Sequence, residues 1–336
     1  MSVIRKSLAR FSVLSLVLVW LSPAGQPIAA EPTKDAIAAV WKARQDGVRT
    51  ARFNWTETGL IAAGTKLKRP SGDQPPEALP PNDRKFKRSV TLSLNGKMLR
   101  FSEIGPAWDA SLGTLVKRLY VSTFDGETSR RFYSGDEAVP RRFAALGFDH
   151  AEARNHESNY YMLAPVLLTY RACDPDTGGR DLAKFDIRAT KGTIDAHQCI
   201  ILASAPPSEI VEELWLDPDR DFVVLRVARS MPGKNTTLDI SYDQNPKLGW
   251  IPSAWRWVAF GPESGRIFEE HAASVTLHEF NTDVPREQFQ FTYPSGTLVR
   301  DRRNGEDYVV TDGNGKRSVT PEDLRELRGT PADRSR

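Results

Sequence analysis

A mainly β fold (α+β), built on an antiparallel sheet with few helices, is predicted by three observations. Period-two alternation of apolar and polar residues recurs along most of the chain. Asn95-Gly96 and Asp125-Gly126 sit between such runs and favour the positive φ angles of two-residue hairpin turns. Only three stretches suit a helix. The alternation is clearest in Val284 to Asp301, where Phe289, Phe291 and Tyr293 alternate with Gln288, Gln290 and Thr292, the pattern of a half-buried strand, until Pro294-Ser295-Gly296 breaks it.

Residues 1–30 read as a secretory leader. Arg5, Lys6 and Arg10 precede the apolar run Phe11 to Leu21, too short to span a bilayer comfortably, and Ala29-Ala30 offers a cleavage site. Cleavage after Ala30 gives a periplasmic or secreted protein with no stable transmembrane anchor. It also removes three basic residues and no acidic ones, so the remaining basic side chains equal the 43 acidic ones. A neutral chain without a basic cluster has no electrostatic reason to bind nucleic acid. The remainder is at the upper end for one hydrophobic core, and a single domain over residues 31–310 is expected.

Thr33 to Val48 forms an amphipathic helix, with Ile37, Val40, Trp41 and Val48 on one stripe. Ala51, Phe53 and Trp55 then alternate with Arg52, Asn54 and Thr56 in a first strand. Residues 69–84 carry five prolines and are expected to be an exposed loop insert. The two hairpins follow. Ser158 to Arg171 is apolar nearly all round, with Pro165 inside, and should be a short helix or kinked pair pressed on the sheet. Strands resume at 184–190, 194–203, 209–216, 221–229, 236–243, 252–260 and 266–280, a hairpin-linked meander. Residues 311–336 are expected to hold a last helix from Thr320 to Leu327 and a disordered tail.

Chemistry is thinly signalled. The histidines His150, His156, His197, His271 and His278 include no i, i+4 pair, so no metal site is expected. Asp217, Asp219 and Asp221 imitate the start of a calcium loop, but Phe222 and Ala228 stand where Gly and Glu are needed. There is no G-x-S-x-G elbow, phosphate loop or dinucleotide fingerprint. No catalytic residue and no cofactor is expected, and an extracytoplasmic hydrolase is the least favoured reading. Cys173 and Cys199 could pair in an oxidising compartment, closing a loop worth roughly 3–4 kcal/mol, or stay as separate buried thiols. Trp255 and Trp257 flank Arg256 and so share one strand face. Such rings usually mean core; on a concave sheet they would line an apolar cavity that tolerates acyl chains.

The order of four pieces resembles a known family. They are "RTARFNWTE" after the first helix, the "TFDGETSRRFY" hairpin, the "LWLDPDRDFVVLRV" hairpin and "FNTDVPREQFQFTYPSGTLV" near the end. Together they resemble the LolA-type outer-membrane lipoprotein carriers and their relatives LolB and RseB. The resemblance implies a strongly curved, unclosed antiparallel half-barrel with helices on its concave face. It implies a non-catalytic protein that holds lipid or lipoprotein acyl chains in that face. Phe53, Trp55, Trp215, Phe289 and Phe291 would then line the cavity or its base, beside Trp255 and Trp257, and Tyr160 to Leu168 would plug it through Tyr160, Tyr161, Leu163 and Leu167. The chain is longer than a typical carrier, and the insert at 69–84 is unusual. An envelope scaffold or sensor that binds a protein partner is the alternative.

Overall fold

A computed structural model describes residues 32–65, 80–109, 113–135, 142–147, 157–174, 179–205 and 209–328. The leader, residues 69–79 of the insert, His150, His156 and the tail from 329 lie outside these. The chain from Lys34 onward forms one unit.

Helix α1 (Lys34–Gly47) buries Ile37 and Trp41, and the Trp41 indole donates to the Phe222 carbonyl at 2.8 Å. Strand β1 (Thr50–Ile61) follows, then β2 (Arg84–Asn95) and β3 (Met98–Asp109) around the Asn95-Gly96 turn. The Asp125-Gly126 turn joins β4 (Thr114–Phe124) to β5 (Ser129–Ser134), and β6 (Arg142–Leu146) ends this meander. Helix α2 (Glu157–Tyr170) is one continuous helix despite Pro165. A second meander runs through β7 (Phe185–Ile187), β8 (Gly192–Ile194), β9 (His197–Ser204), β10 (Val211–Asp217), β11 (Val223–Met231), β12 (Lys234–Asn245), β13 (Gly249–Phe260) and β14 (Ile267–Phe280). Last come β15 (Leu298–Asp301), β16 (Glu306–Val310), β17 (Lys316–Ser318) and α3 (Pro321–Arg328).

These seventeen strands form one sheet with β1 at its centre. On one side of β1 come β2, β3, β4, β5 and β6 in turn. On the other come β14, β13, β12, β11, β10 and β9. Strands β7 and β8 share the far edge of β9. Beyond β6 the sheet continues through β15, β16 and β17, and β6–β15 is its one parallel pair among the described residues. No described ladder joins the two ends, so the sheet is open. Because β17 pairs with β16, the sheet extends to Ser318.

The expected strand at 288–293 is absent. Arg286–Phe289 is a single 3-10 turn, Gln290 is extended, and the residues to Tyr293 belong to no strand ladder. The reason is topological. Strand β14 lies beside β1 and β15 beside β6, so the chain must cross seven strand spacings, about 34 Å of sheet, between them. It does so as a strap. Arg100 Nη1 donates to the Gln288 carbonyl at 2.9 Å, and the Tyr293 hydroxyl donates to the Ala145 carbonyl at 3.0 Å. The alternation survives, because one side of the strap is pressed on the sheet.

Successive residues of a strand point to opposite faces, and both faces of this sheet carry a core. Tyr120 belongs to the large cluster with Phe53, Trp55 and Trp255, whereas its neighbour Val121 joins Phe132, Ala144 and Val299 under the strap. The large cluster lies on the face that α2 covers. That face is concave, because Tyr161 of α2 touches both Arg88 on β2 and Trp257 on β13, three strand spacings apart. Side chains from strands about 14 Å apart meet one tyrosine only if they converge.

Two features the sequence singled out can be placed. Of the two alternatives for Cys173 and Cys199, they stand as separate thiols. Asp217, Asp219 and Asp221 form the turn between β10 and β11. The Asp217 carboxylate accepts from the Asp219 amide at 3.0 Å and closes a 3-10 turn, while Asp221 and Phe222 take up φ of 53° to complete the hairpin.

Candidate functional site

The concave face is graded along β1. Phe53, Trp55 and Glu57 point into it in that order, and all three are essentially inaccessible to solvent. At the Phe53 end the surroundings are aromatic. Tyr170 of α2 lies 6.1 Å from Phe53 and 5.3 Å from Phe280, ring centre to ring centre. In the middle, Trp55 meets Trp255 edge-on at 5.1 Å and Phe101 at 6.4 Å. Phe101 then meets Tyr120 at 5.8 Å, and Tyr120 meets Tyr133 at 4.7 Å. Rings from five strands thus form one row. Such edge-on pairs add about 0.5–1.5 kcal/mol each to the area they bury.

At the Glu57 end the surroundings are charged. Arg88 Nη2 lies 2.5 Å from Glu57 Oε1 and donates to the Tyr161 hydroxyl at 2.9 Å, and Arg88 Nη1 donates to Glu103. His271 Nδ1 is 2.6 Å from Glu57 Oε1, and Nε2 is 2.8 Å from Glu269 Oε1. Two glycines permit this density. A Cβ at Gly105 would fall 2.3 Å from Arg88 Cβ, and one at Gly59 would strike the Phe86 ring, which itself lies against His271. Burial by itself would neutralise these groups. For Glu57 it is outweighed by Arg88 and His271, which hold the carboxyl below its ordinary range. For His271 it is outweighed by Glu269 and Glu57, which raise the imidazole. For Glu103 burial prevails over Arg88 and the carboxyl is raised.

Helix α2 fills the face between these ends. Every residue from Tyr161 to Tyr170 is buried, as expected of a helix apolar all round. Tyr161 stacks on Trp257 at 4.8 Å. The helix is tied at both ends by polar groups: Arg88 to Tyr161 at one, and Arg171, which donates to the Val48 carbonyl at 2.9 Å and the Arg49 carbonyl at 3.1 Å, at the other.

Of the residues the sequence nominated, Phe53, Trp55, Trp255 and Trp257 come together on the concave face, with Tyr161, Leu163 and Leu167 of α2 buried upon them. The Tyr160 side chain lies outside the described residues. Phe291 is on the opposite face, 5.2 Å from Phe132, and Phe289 is wholly buried but in neither cluster. Trp215 pairs across with Arg226, on the side away from Leu214 and Val227, and its ring lies over Gly192. Phe289 and Phe291 are carried by the strap, whereas Trp215, half-buried, still packs against the large cluster from its edge.

No protein-family description and no curated protein matches the chain. Among solved structures, it aligns with a domain described as an outer membrane lipoprotein-sorting protein from Vibrio parahaemolyticus. The identity is 13%, the alignment covers 76% of this chain and 94% of that one, and the TM-score is 0.43. The chain also aligns with one in the MucA/MucB complex of Pseudomonas aeruginosa, at 12% identity and a TM-score of 0.27, with 78% of this chain and 64% of that one covered. A third alignment, to PNGF-II, has 9% identity, covers 76% of this chain and 32% of that one, and has a TM-score of 0.21. At these values the likenesses carry no functional argument, which must come from the residues themselves.

Sequence reasoning missed Glu57, Arg88, Glu103, Glu269 and the partners of His271. A signal was present. Glu57 continues the inward series Phe53, Trp55, and Arg88 interrupts the inward series Phe86, Val90, so each is a charge at a position the alternation reserves for core. Both nitrogens of His271 are committed to carboxylates, and among the described residues no group of three or more metal-ligating side chains stands together. No described helix is long and apolar enough to cross a membrane.

Proposed function

We propose that this is an exported, non-catalytic lipid- or lipoprotein-binding protein of the cell envelope, which holds an acyl chain on its concave face beneath α2. The observation that carries this reading is α2 itself. An apolar helix lies buried on a row of aromatic rings and is fastened by polar groups at its ends, so the same ring-lined surface suits another apolar occupant once those ties open. A chain of roughly fourteen methylenes brings about 11 kcal/mol on burial. Releasing α2 to water would cost a comparable amount, so the chain slides between helix and sheet and α2 re-docks upon it.

Native mass spectrometry of the protein, purified without detergent and then incubated with a palmitoyl lysophospholipid, tests the reading. Adducts that release fatty-acyl species on denaturation support it. An apo mass unchanged by the lipid overturns it and turns attention to capture of an envelope protein partner.

A further inference from the structure

The charged end of the concave face contains groups that the protein itself leaves unanswered. Trp55, 1% exposed, has its indole Nε1 buried without an acceptor, and Glu57 Oε2 is buried without a donor. The two residues are neighbours on the inward side of β1. Arg88 adds a third open valence whenever α2 lifts, because Tyr161 then takes its hydroxyl oxygen away from Nη2. The carboxylates of Glu57, Glu103 and Glu269 are set against Arg88, His271 and Lys234, which lies over the Trp257 ring beside Glu269, so this end has no cation to spare.

From these groups, and resting on the acyl-binding reading above, we infer that the site selects amphiphiles with a zwitterionic head bearing a primary ammonium. The head's phosphate or carbonyl oxygens accept from Trp55 Nε1 and Arg88, and its N–H groups donate to Glu57 Oε2. A purely anionic head brings its phosphate charge beside the unanswered Glu57 Oε2 with no ammonium to offset it. A quaternary ammonium matches the charge but has no proton to give. The ring-lined stretch from Trp55 to Phe53 takes the chain, so head and tail are sorted along a single strand. Charge and hydrogen-bond complementarity act here in a buried setting, where an unmet donor or acceptor weighs most.

The test uses the full protein and three palmitoyl lysophospholipids that differ only in the head: ethanolamine, choline and glycerol. Each is titrated below its micelle-forming concentration, with tryptophan fluorescence as the readout. The ethanolamine lipid is expected to bind about tenfold more tightly than the other two, the ratio set by one charge-assisted hydrogen bond. Glu57→Gln, checked for folding by circular dichroism, should bring the three Kd values within about threefold. Trp55→Phe keeps the ring and should weaken all three together. Equal Kd values in the unsubstituted protein, or a preference for glycerol, would overturn the head-group inference while leaving acyl binding intact. Failure of all three lipids to bind would remove both.

Discussion

Each face of the sheet has its own cover, and the two are held differently. The concave face is covered by α2, from the middle of the chain, which is apolar on all sides and fixed by Arg88 and Arg171 at its ends. The opposite face is covered by the strap from Val284 to Thr297, whose backbone and side chains bond the sheet along its course. Lifting α2 leaves every strand pairing in place. Lifting the strap would take β15 away from β6 and dismantle the edge of the sheet. One cover can be taken away without breaking a strand ladder and the other cannot, and that difference is why the proposed acyl site is placed under the helix.

Substitutions can break or sharpen this contrast. The largest effect is expected at Arg88→Met, which strands Glu57 and Glu103 without their cation. Loss of one partner from such a buried group costs about 3–5 kcal/mol, read from the urea midpoint. A loss below about 1 kcal/mol would show that the charged end does not hold the helix down. Next comes Phe291→Ala under the strap. Because the ring is only half buried, about 2 kcal/mol is expected, less than for a fully buried phenylalanine, with lysolipid Kd unchanged. A shifted Kd would mean that the two faces are coupled and the contrast is false. Tyr161→Phe removes a single tie to Arg88 and should cost about 1 kcal/mol while raising the rate of lipid uptake in stopped-flow fluorescence.

The smallest effect is a pH slope. His271 is raised above its ordinary 6.5 in the fold, so its stabilising contribution is whole below that value and is lost as pH climbs through the raised one. Glu57, held low, contributes in the opposite sense: its share is lost as pH falls below the ordinary 4.5 toward its lowered value. Glu103 is raised and so also costs stability as pH rises past 4.5. Thermal melts above pH 6.5 should therefore decline in the unsubstituted protein and stay flatter in His271→Gln. A decline of equal steepness in the variant would assign the slope to other groups.

The meanders were legible in the sequence because local rules fix them: Asn95-Gly96 and Asp125-Gly126 place turns, and alternation assigns faces. The sequence also picked out Ser158 to Arg171 as a short helix or kinked pair pressed on the sheet, since an apolar stretch with no polar side has no other stable place. What alternation could not show is which partner lies opposite. Phe289, Phe291 and Tyr293 alternate in the strap as they would in a strand, because one-sided contact produces the pattern whether or not the backbone is paired. The Glu57–Arg88–His271 group stayed hidden for a related reason. Its members are scattered from residue 57 to 271 and meet only when β1 separates β2 from β14.

That central pairing has a consequence for how the molecule is made. Ala51 on β1 meets Leu94 on β2 soon after both are synthesised, but its other neighbour, Phe280 on β14, arrives only when most of the chain exists. Until then β1 presents an open row of amide and carbonyl groups beside exposed tryptophans, and β6 waits longer still for β15. Distant pairings of this kind slow folding, and open strand edges invite association with other chains. Until β14 reaches β1, the open edge of β1 is where association with other chains is most favoured. A circular permutant that begins at β14 and so delivers the strand early should refold faster and aggregate less.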